Sequence, residues 1–352
     1  MLNTPSDKLS TLKPDRINFR TVTFSKNVFI PVTNACRNKC AYCGFRSSTP
    51  RIMSRGEVTK ILESGKKHGC KEALFTLGEH PESVREIKED LRSWGYSSIT
   101  EYLRDLCEDA IGYGLLPHSN IGVSTSEDLK TLKDVNASLG LMLESVSERL
   151  CGKGMPHELS PGKRPDGRLK FIGEAGKLKI PFTTGLLIGI GETNKEIIDS
   201  IKALRKLQDR HGHLQELIIQ NFVPHPGTPM ENAKAPSADK MLKVVSASRR
   251  AFPDVGIQVP PNLSSDWRAF IAYGVDDLGG ISPVTEDYIN PGYVWPTLEE
   301  ITSAVTGMGL NLRERLPIYP NYIKRGWYSN AIESLVEGYS DKDGLVKDVP
   351  TG

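Results

Sequence analysis

The sequence predicts an α/β protein with a parallel sheet, either open or closed into a TIM-type (β/α) barrel. Short apolar, β-branched runs alternate with helical-period segments about eight times along the chain. No Pro/Gly/Ser linker or low-complexity tract divides the 352 residues, a length that one large barrel fills. The stretches of unusual composition follow predicted strands, on the face where such a barrel carries its catalytic groups.

Candidate strands are 27–33 (NVFIPVT), 72–77 (EALFTL), 116–122 (LPHSNIG), 138–145 (SLGLMLES), 181–189 (PFTTGLLIG), 214–222 (LQELIIQNF), 255–260 (VGIQVP) and 276–282 (DDLGGIS). After the first comes NACRNKCAYCGFR, then the helical pattern SRGEVTKILESGKKHG. GEHPE follows the second strand, Glu144 closes the fourth, and GIGET follows the fifth. The longest irregular stretch, 152–168, lies between the fourth and fifth strands, and a loop of that length in a compact α/β domain is often functional. In TNKEIIDSIKALRKLQDRHG, Ile197, Ile198, Ile201, Leu204 and Leu207 form one stripe, with Gly212 as the stop. One domain over 1–352 is expected, with a core over about 22–285 and a C-terminal extension over about 286–352.

Composition excludes several classes. With 45 basic and 43 acidic residues the formal charge is +2, which gives no electrostatic reason to expect nucleic acid or an acidic membrane surface. No apolar run approaches the roughly 18–20 residues of a membrane span, and MLNTPSDKLSTLKPDR has no signal-peptide core. Six cysteines, three of them packed together, are no disulfide framework, so a reducing cytoplasm is expected.

Cys36, Cys40 and Cys43 set three soft thiolate ligands in one loop. A [4Fe–4S] cluster held by three cysteines keeps one iron open for another ligand. Two other readings remain open. A zinc site would draw a fourth ligand from Cys70, Cys107, Cys151 or one of seven histidines. Alternatively, the cysteines are small loop residues.

C-x3-C-x2-C with Tyr42 before its last cysteine resembles the signature of the radical S-adenosylmethionine (SAM) enzymes. The resemblance implies a TIM-type radical SAM barrel with the cluster loop after strand 1 at the C-terminal face. It implies one [4Fe–4S] cluster on Cys36, Cys40 and Cys43, and SAM cleaved to methionine and a 5′-deoxyadenosyl radical. Gly78 and Glu79 match the Gly-Gly-Glu-like stretch that receives the SAM amino group, with Leu77 in place of the first glycine. GLLIGIGE matches G-x-I-x-G-x-x-E at Gly185, Leu187, Gly189 and Glu192, the region flanking adenine in that family. Glu144 and Arg168 match SAM-contacting positions, the arginine facing the SAM carboxylate, which suits a guanidinium fork. Asn194 stands where a G-x-G-x-x-G dinucleotide fingerprint needs glycine.

FTLGEHPE, SPGKRPDGRL, NFVPHPGTPM, QVPPNL, GGISPVTEDYINP and RLPIYP are similar to the family of 7,8-didemethyl-8-hydroxy-5-deazariboflavin synthases, in particular the cyclising member of the two-protein form. This implies a lyase of deazaflavin coenzyme (factor 420) biosynthesis. It would close the ring of a small-molecule intermediate made by a tyrosine-coupling radical SAM partner, with ammonia lost and an electron donor required. The alternatives are the coupling partner itself, a menaquinone-pathway radical SAM enzyme, or a non-catalytic zinc-binding barrel. Leu278 and the segment NPGYVWP depart from the family pattern. Asn120, Gln220, Asn221, Gln258 and Asn262 are candidate substrate amides, and His225 is a candidate proton shuttle.

Overall fold

The structure, a computed structural model, describes residues 19–347. The segment read for a targeting sequence and both ends of the 1–352 span lie outside the described residues. β1 (Thr21–Thr33), β2 (Glu72–Leu77), β3 (Leu116–Asn120), β4 (Ser138–Gly140), β5 (Phe182–Ile188), β6 (Leu214–Asn221), β7 (Gly256–Gln258) and β8 (Asp277–Ile281) form a closed parallel barrel. Closure is the pairing of β1 with both β8 and β2. A ninth strand, β9 (Asn311–Glu314), lies parallel to the first half of β1.

Helices fill the connections: α1 (Arg55–Lys67), α2 (Arg85–Ser93), α3 (Ile99–Gly112), α4 (Ser126–Lys133), α5 (Pro165–Lys177), α6 (Asn194–His211), α7 (Ala238–Ala251) and α8 (Trp267–Ala272). After the barrel come α9 (Leu298–Gly307), α10 (Pro320–Lys324) and α11 (Asn330–Tyr339). α6 starts with a capping box, in which Thr193 accepts from the Glu196 amide and Glu196 bonds back. It stops at Gly212, whose φ of 62° suits a residue without Cβ. Ile197, Ile198, Ile201 and Leu204 face the core, while Leu207 packs at its edge. Among the described residues no helix is long and apolar enough to cross a membrane.

Two strands differ from expectation. β1 starts six residues before the expected Asn27, because Thr21–Phe24 pair with Asn311–Glu314, a partner too short and polar to stand out in the sequence. β4 stops at Gly140, well before the expected residue 145. Pairing resumes only at Glu144, whose N–H donates to Gly185 O at 3.0 Å and whose carbonyl accepts from Leu187 N at 3.1 Å. Glu144 sits there at φ 66°, an uncommon conformation for a residue with a side chain.

The main core lies between strands and helices, and a second cluster beneath the barrel joins Leu316, Ile318, Tyr322, Ile332 and Val336 to Leu116 and Ala137. The C-terminal elements therefore close the end where the strands begin. Arg315 plugs it from inside: its guanidinium donates to both Asp277 oxygens at 2.6 and 2.8 Å and to Glu216 at 3.0 Å. Its charge also lies 4.3 Å from the Tyr319 ring centroid.

Candidate active site

At the open end, β1 delivers the chain into the cysteine loop, which is held on two sides. Arg37 N donates to Glu79 O at 2.9 Å, across to the β2 loop. Lys39 N and Ala41 N donate to Leu159 O (3.1 Å) and Pro156 O (2.9 Å), and Asn38 Oδ1 accepts from Gly162 N at 2.8 Å. The long 152–168 loop thus braces the cysteines, although it carries a short 3-10 turn at Pro161–Lys163 and yields to α5 at Pro165. Gly78 is required at this junction, since a Cβ there would stand 1.9 Å from Ala35 O.

Cys36, Cys40 and Cys43 all line one cavity of about 370 Å³. Each sulfur accepts a hydrogen bond: Cys36 from Glu79 N (3.2 Å), Cys40 from Ser160 Oγ (3.2 Å) and Cys43 from Arg46 N (3.4 Å). Burial pushes the Cys36 and Cys43 thiols up, so cluster binding must displace their protons. Among the described residues no group of three His, Cys, Asp or Glu side chains is placed to hold a single metal ion. Three soft thiolate ligands in one loop, each with a hydrogen-bond donor at sulfur, are a donor set that suits an iron–sulfur cluster. Cys70 and Cys107 are buried in the core, and Cys151 lies against Lys163 O.

Glu79 is a buried carboxylate rather than a solvated loop residue, 4% exposed. Oε1 accepts from Arg37 Nε at 2.8 Å, and Oε2 accepts from Val123 N at 3.0 Å and lies 3.5 Å from Arg168 Nη1. Burial alone would raise its pKa, but the Val123 amide and the two guanidiniums outweigh it and hold the carboxyl below its usual range. Glycines make room for it: a Cβ at Gly162 would lie 1.5 Å from Oε1, and one at Gly122 would lie 2.5 Å from Cγ.

Arg168, on the first turn of α5, is likewise buried, with Nε donating to Met142 O (2.6 Å) and Nη1 to Gly162 O (2.8 Å). Glu144 pairs with Lys163 at 2.5 Å. Burial opposes its ionisation, but Lys163 and Arg168 together keep the carboxyl below its usual range. Lys163 was not singled out in the sequence, though its loop follows the fourth strand. Glu79, Glu144, Arg168 and Lys163 share the cavity wall with the cysteines.

Gly185, Gly189 and Glu192 are placed differently, outside that wall. A Cβ at Gly185 would meet Ile218 O at 2.3 Å, so this glycine serves strand packing. Glu192 turns back on its own loop, accepting from Gly189 N and Ile190 N at 2.9 Å each and from Lys240 at 2.6 Å. Gly189, at φ 104°, permits that turn. Leu187 is the residue of this motif that reaches the wall.

Of the five candidate amides, Asn120, Gln220 and Gln258 line the cavity. Asn221 points to the other side of β6, donating to Leu263 O at 2.9 Å, as period-two alternation requires. Asn262 is tied to Asp287 at 2.9 Å. His225 lines the cavity, packed on Gly44 and 3.4 Å from Asn290 Oδ1. Leu278 is fully buried, and Trp295 of the divergent segment lines the cavity with its buried indole N–H unpartnered among the described residues. Glu72, Glu216 and Arg315, at the barrel floor, were missed; a glutamate inside an apolar strand of a parallel barrel was the available signal.

Residues 30–204 match the radical SAM superfamily. The chain is 49% identical over 333 residues to 7,8-didemethyl-8-hydroxy-5-deazariboflavin synthase of Methanopyrus kandleri, covering 93% of this chain and all (100%) of that one. It is 52% identical over 317 residues to the protein of that name from Methanocaldococcus jannaschii, covering 90% and 88%. Among solved structures, the FeFe-hydrogenase maturase HydG of Carboxydothermus hydrogenoformans superposes with a TM-score of 0.70 at 18% identity, covering 92% of this chain and 76% of that one. Methylornithine synthase gives 0.64 at 18% identity, covering 88% and 86%. At these identities the structures share the fold alone.

Proposed function

The chain belongs to the radical SAM superfamily and, within it, to the 7,8-didemethyl-8-hydroxy-5-deazariboflavin synthases, and on that premise we propose that it is the cyclising member of the two-protein synthase. In this reading it converts 5-amino-5-(4-hydroxybenzyl)-6-(D-ribitylimino)-5,6-dihydrouracil to the deazariboflavin, with ammonia released. A tyrosine-coupling radical SAM partner supplies the substrate, a separate donor supplies electrons, and the reducing cytoplasm keeps the thiols free.

A bound [4Fe–4S] cluster and SAM supply the one-electron chemistry that abstracts hydrogen from the substrate. Cys36, Cys40 and Cys43 would hold the cluster, and the donors on their sulfurs would tune its potential. Glu79, ionised and fixed by two guanidiniums, receives the SAM ammonium beside Gly78. Arg168 orients the SAM carboxylate, and Glu144, held by Lys163, accepts from a SAM donor. Gly185, Gly189 and Glu192 act indirectly, by shaping the strand end and loop behind Leu187. His225 takes the proton role in ammonia loss.

The observation that carries this reading is the meeting of the cysteine loop, Glu79, Arg168 and Glu144 in one wall over the barrel. Its test is anaerobic reconstitution with SAM, a reductant and the coupled intermediate. The expected products are 5′-deoxyadenosine and a fluorescent deazaflavin. Turnover of tyrosine plus 5-amino-6-(D-ribitylamino)uracil would make it the coupling partner instead, and a colourless zinc protein would end the reading.

A further inference from the structure

The cavity does not end beneath the cysteine loop. It continues down the barrel until Glu72, Thr183 and Glu216, near the beginnings of their strands, form its wall. From Glu72 to Gly78 this wall follows roughly 20 Å of chain, at about 3.3 Å per strand residue.

Two amide side chains stand free in that lower part. Asn27 and Gln258 are 2% and 6% exposed, line the cavity, and make no side-chain hydrogen bond among the described residues. The glycine pair of β8 makes room for them. A Cβ on Gly279, at φ 72°, would stand 2.1 Å from Gln258 Nε2, and one on Gly280 would stand 2.1 Å from Asn27 Nδ2. Buried amides without partners are costly, so a donor and acceptor must meet them from the cavity.

The neighbouring groups are also neutral or hydroxyl-seeking. Ser138 Oγ donates to Pro317 O at 2.5 Å, so it accepts from His118 Nδ1 at 2.6 Å, which leaves His118 Nε2 unprotonated beside the Asn120 side chain. Burial holds that imidazole neutral, its pKa lowered to about 4. One oxygen of Glu72 takes the Ser25 hydroxyl, and the other has no hydrogen bond among the described residues. Burial raises the pKa of the Glu72 and Glu216 carboxyls, and the Arg315 guanidinium beside them opposes that rise.

The charge balance argues against an anion. Arg315 is the cation at this floor, and its guanidinium is already engaged by Asp277, Glu216 and the Leu316 carbonyl. Three carboxyl groups (Glu72, Glu216 and Asp277) surround that single guanidinium, so nothing there complements a phosphate dianion.

We propose that the lower barrel is a subsite for a neutral polyol, the ribityl arm of the substrate, and that its carboxyl floor rejects the phosphate ester of the same arm. The proposal rests on the reaction read above. The reacting carbon must lie near the cysteine loop, so the end of the substrate remote from it goes down the barrel. A chain of hydroxyls, each donor and acceptor, matches the unpartnered amides of Asn27 and Gln258 and the free oxygen of Glu72. Specificity for the unphosphorylated arm then follows from the floor.

The test is fluorescence titration of the reconstituted protein, with SAM, using three probes: the deazariboflavin product, an analogue with methyl in place of ribityl, and the product's terminal phosphate ester. The product is expected to bind at least tenfold more tightly than either of the others. Gln258→Leu should lose about tenfold for the product and little for the methyl analogue, and Glu72→Gln should narrow the gap to the phosphate ester. Equal binding of the three probes to wild-type protein overturns the subsite while leaving the reaction standing. So does tighter binding of the ester. Failure of the product to bind, with no fluorescent product in turnover, overturns the reaction and the subsite with it. The wild-type comparison needs no variant to fold.

Discussion

Arg37 and Glu79 are joined twice: the Arg37 amide donates to the Glu79 carbonyl at 2.9 Å, and the Arg37 guanidinium donates to the Glu79 carboxylate at 2.8 Å. The residue after Cys36, inside the cysteine motif, is thereby locked to the β2 loop, and Glu79 N closes the link on Cys36 sulfur. One carboxylate anchors the cysteine loop and faces the cavity.

Glu79→Gln keeps the shape of that anchor and removes its charge. SAM affinity should fall about tenfold, read by equilibrium dialysis, while iron content stays near wild type. Glu79→Ala leaves Arg168 buried without its counter-charge and should cost roughly 3 kcal/mol in urea unfolding. Unchanged SAM affinity in both variants would make Glu79 a structural clamp only.

Cys40→Ala should lose most bound iron, the brown colour and 5′-deoxyadenosine production, with an unchanged far-UV circular dichroism spectrum. The residue is half-buried in a loop outside the core, so the barrel does not depend on it. Full iron retention would sink the assignment of this loop to the cluster.

Two glycine substitutions should move in opposite directions. Gly78→Ala drives a Cβ to 1.9 Å from Ala35 O and should destabilise by about 3 kcal/mol, with iron lost as the loop shifts. Gly56→Ala, in the first turn of α1 with nothing within 4 Å, should raise stability by up to about 1 kcal/mol. Thermal melts of the pair check both signs.

His213 offers a pH test away from the cavity. It is fully buried, its Nε2–H donates to Ile172 O at 2.9 Å, and burial lowers its pKa to about 4 from 6.5. The unfolded chain takes up a proton that the folded one refuses. Its contribution is therefore present above pH 6.5 and lost as pH falls toward 4, at up to about 1.4 kcal/mol per pH unit. The stability difference between wild type and His213→Gln should shrink between pH 6.5 and 4.5 in urea titrations. A constant difference would contradict a neutral buried imidazole.

Much of the fold was legible because its signals are local. The α6 stripe, its Thr193 cap and Gly212 stop all lie within one helix, and the cysteines lie within one loop. Strand–helix alternation, with apolar runs of strand length, located the barrel strands to within a few residues except at β1 and β4. Those two failed because their true limits are set by partners: β9 extends β1, and β4 leaves β5 after Gly140, pairing again only at the left-handed Glu144.

The sequence by itself determined that three thiolates sit after the first strand, with Glu79 and Glu144 following the second and fourth and Arg168 opening the next helix. It did not determine which polar side chains face inward. Alternation says that Gln220 and Asn221 point to opposite sides, but only barrel closure decides that Gln220 meets the cavity. The turn of Glu192 onto its own amides and the meeting of Arg315 with Glu216 and Asp277 depend on backbone curvature and on contacts 99 and 38 residues apart. Local propensity encodes elements and their order. The facing of buried polar groups follows from the closed sheet, where each must find a partner across the barrel or leave its bonding to a ligand.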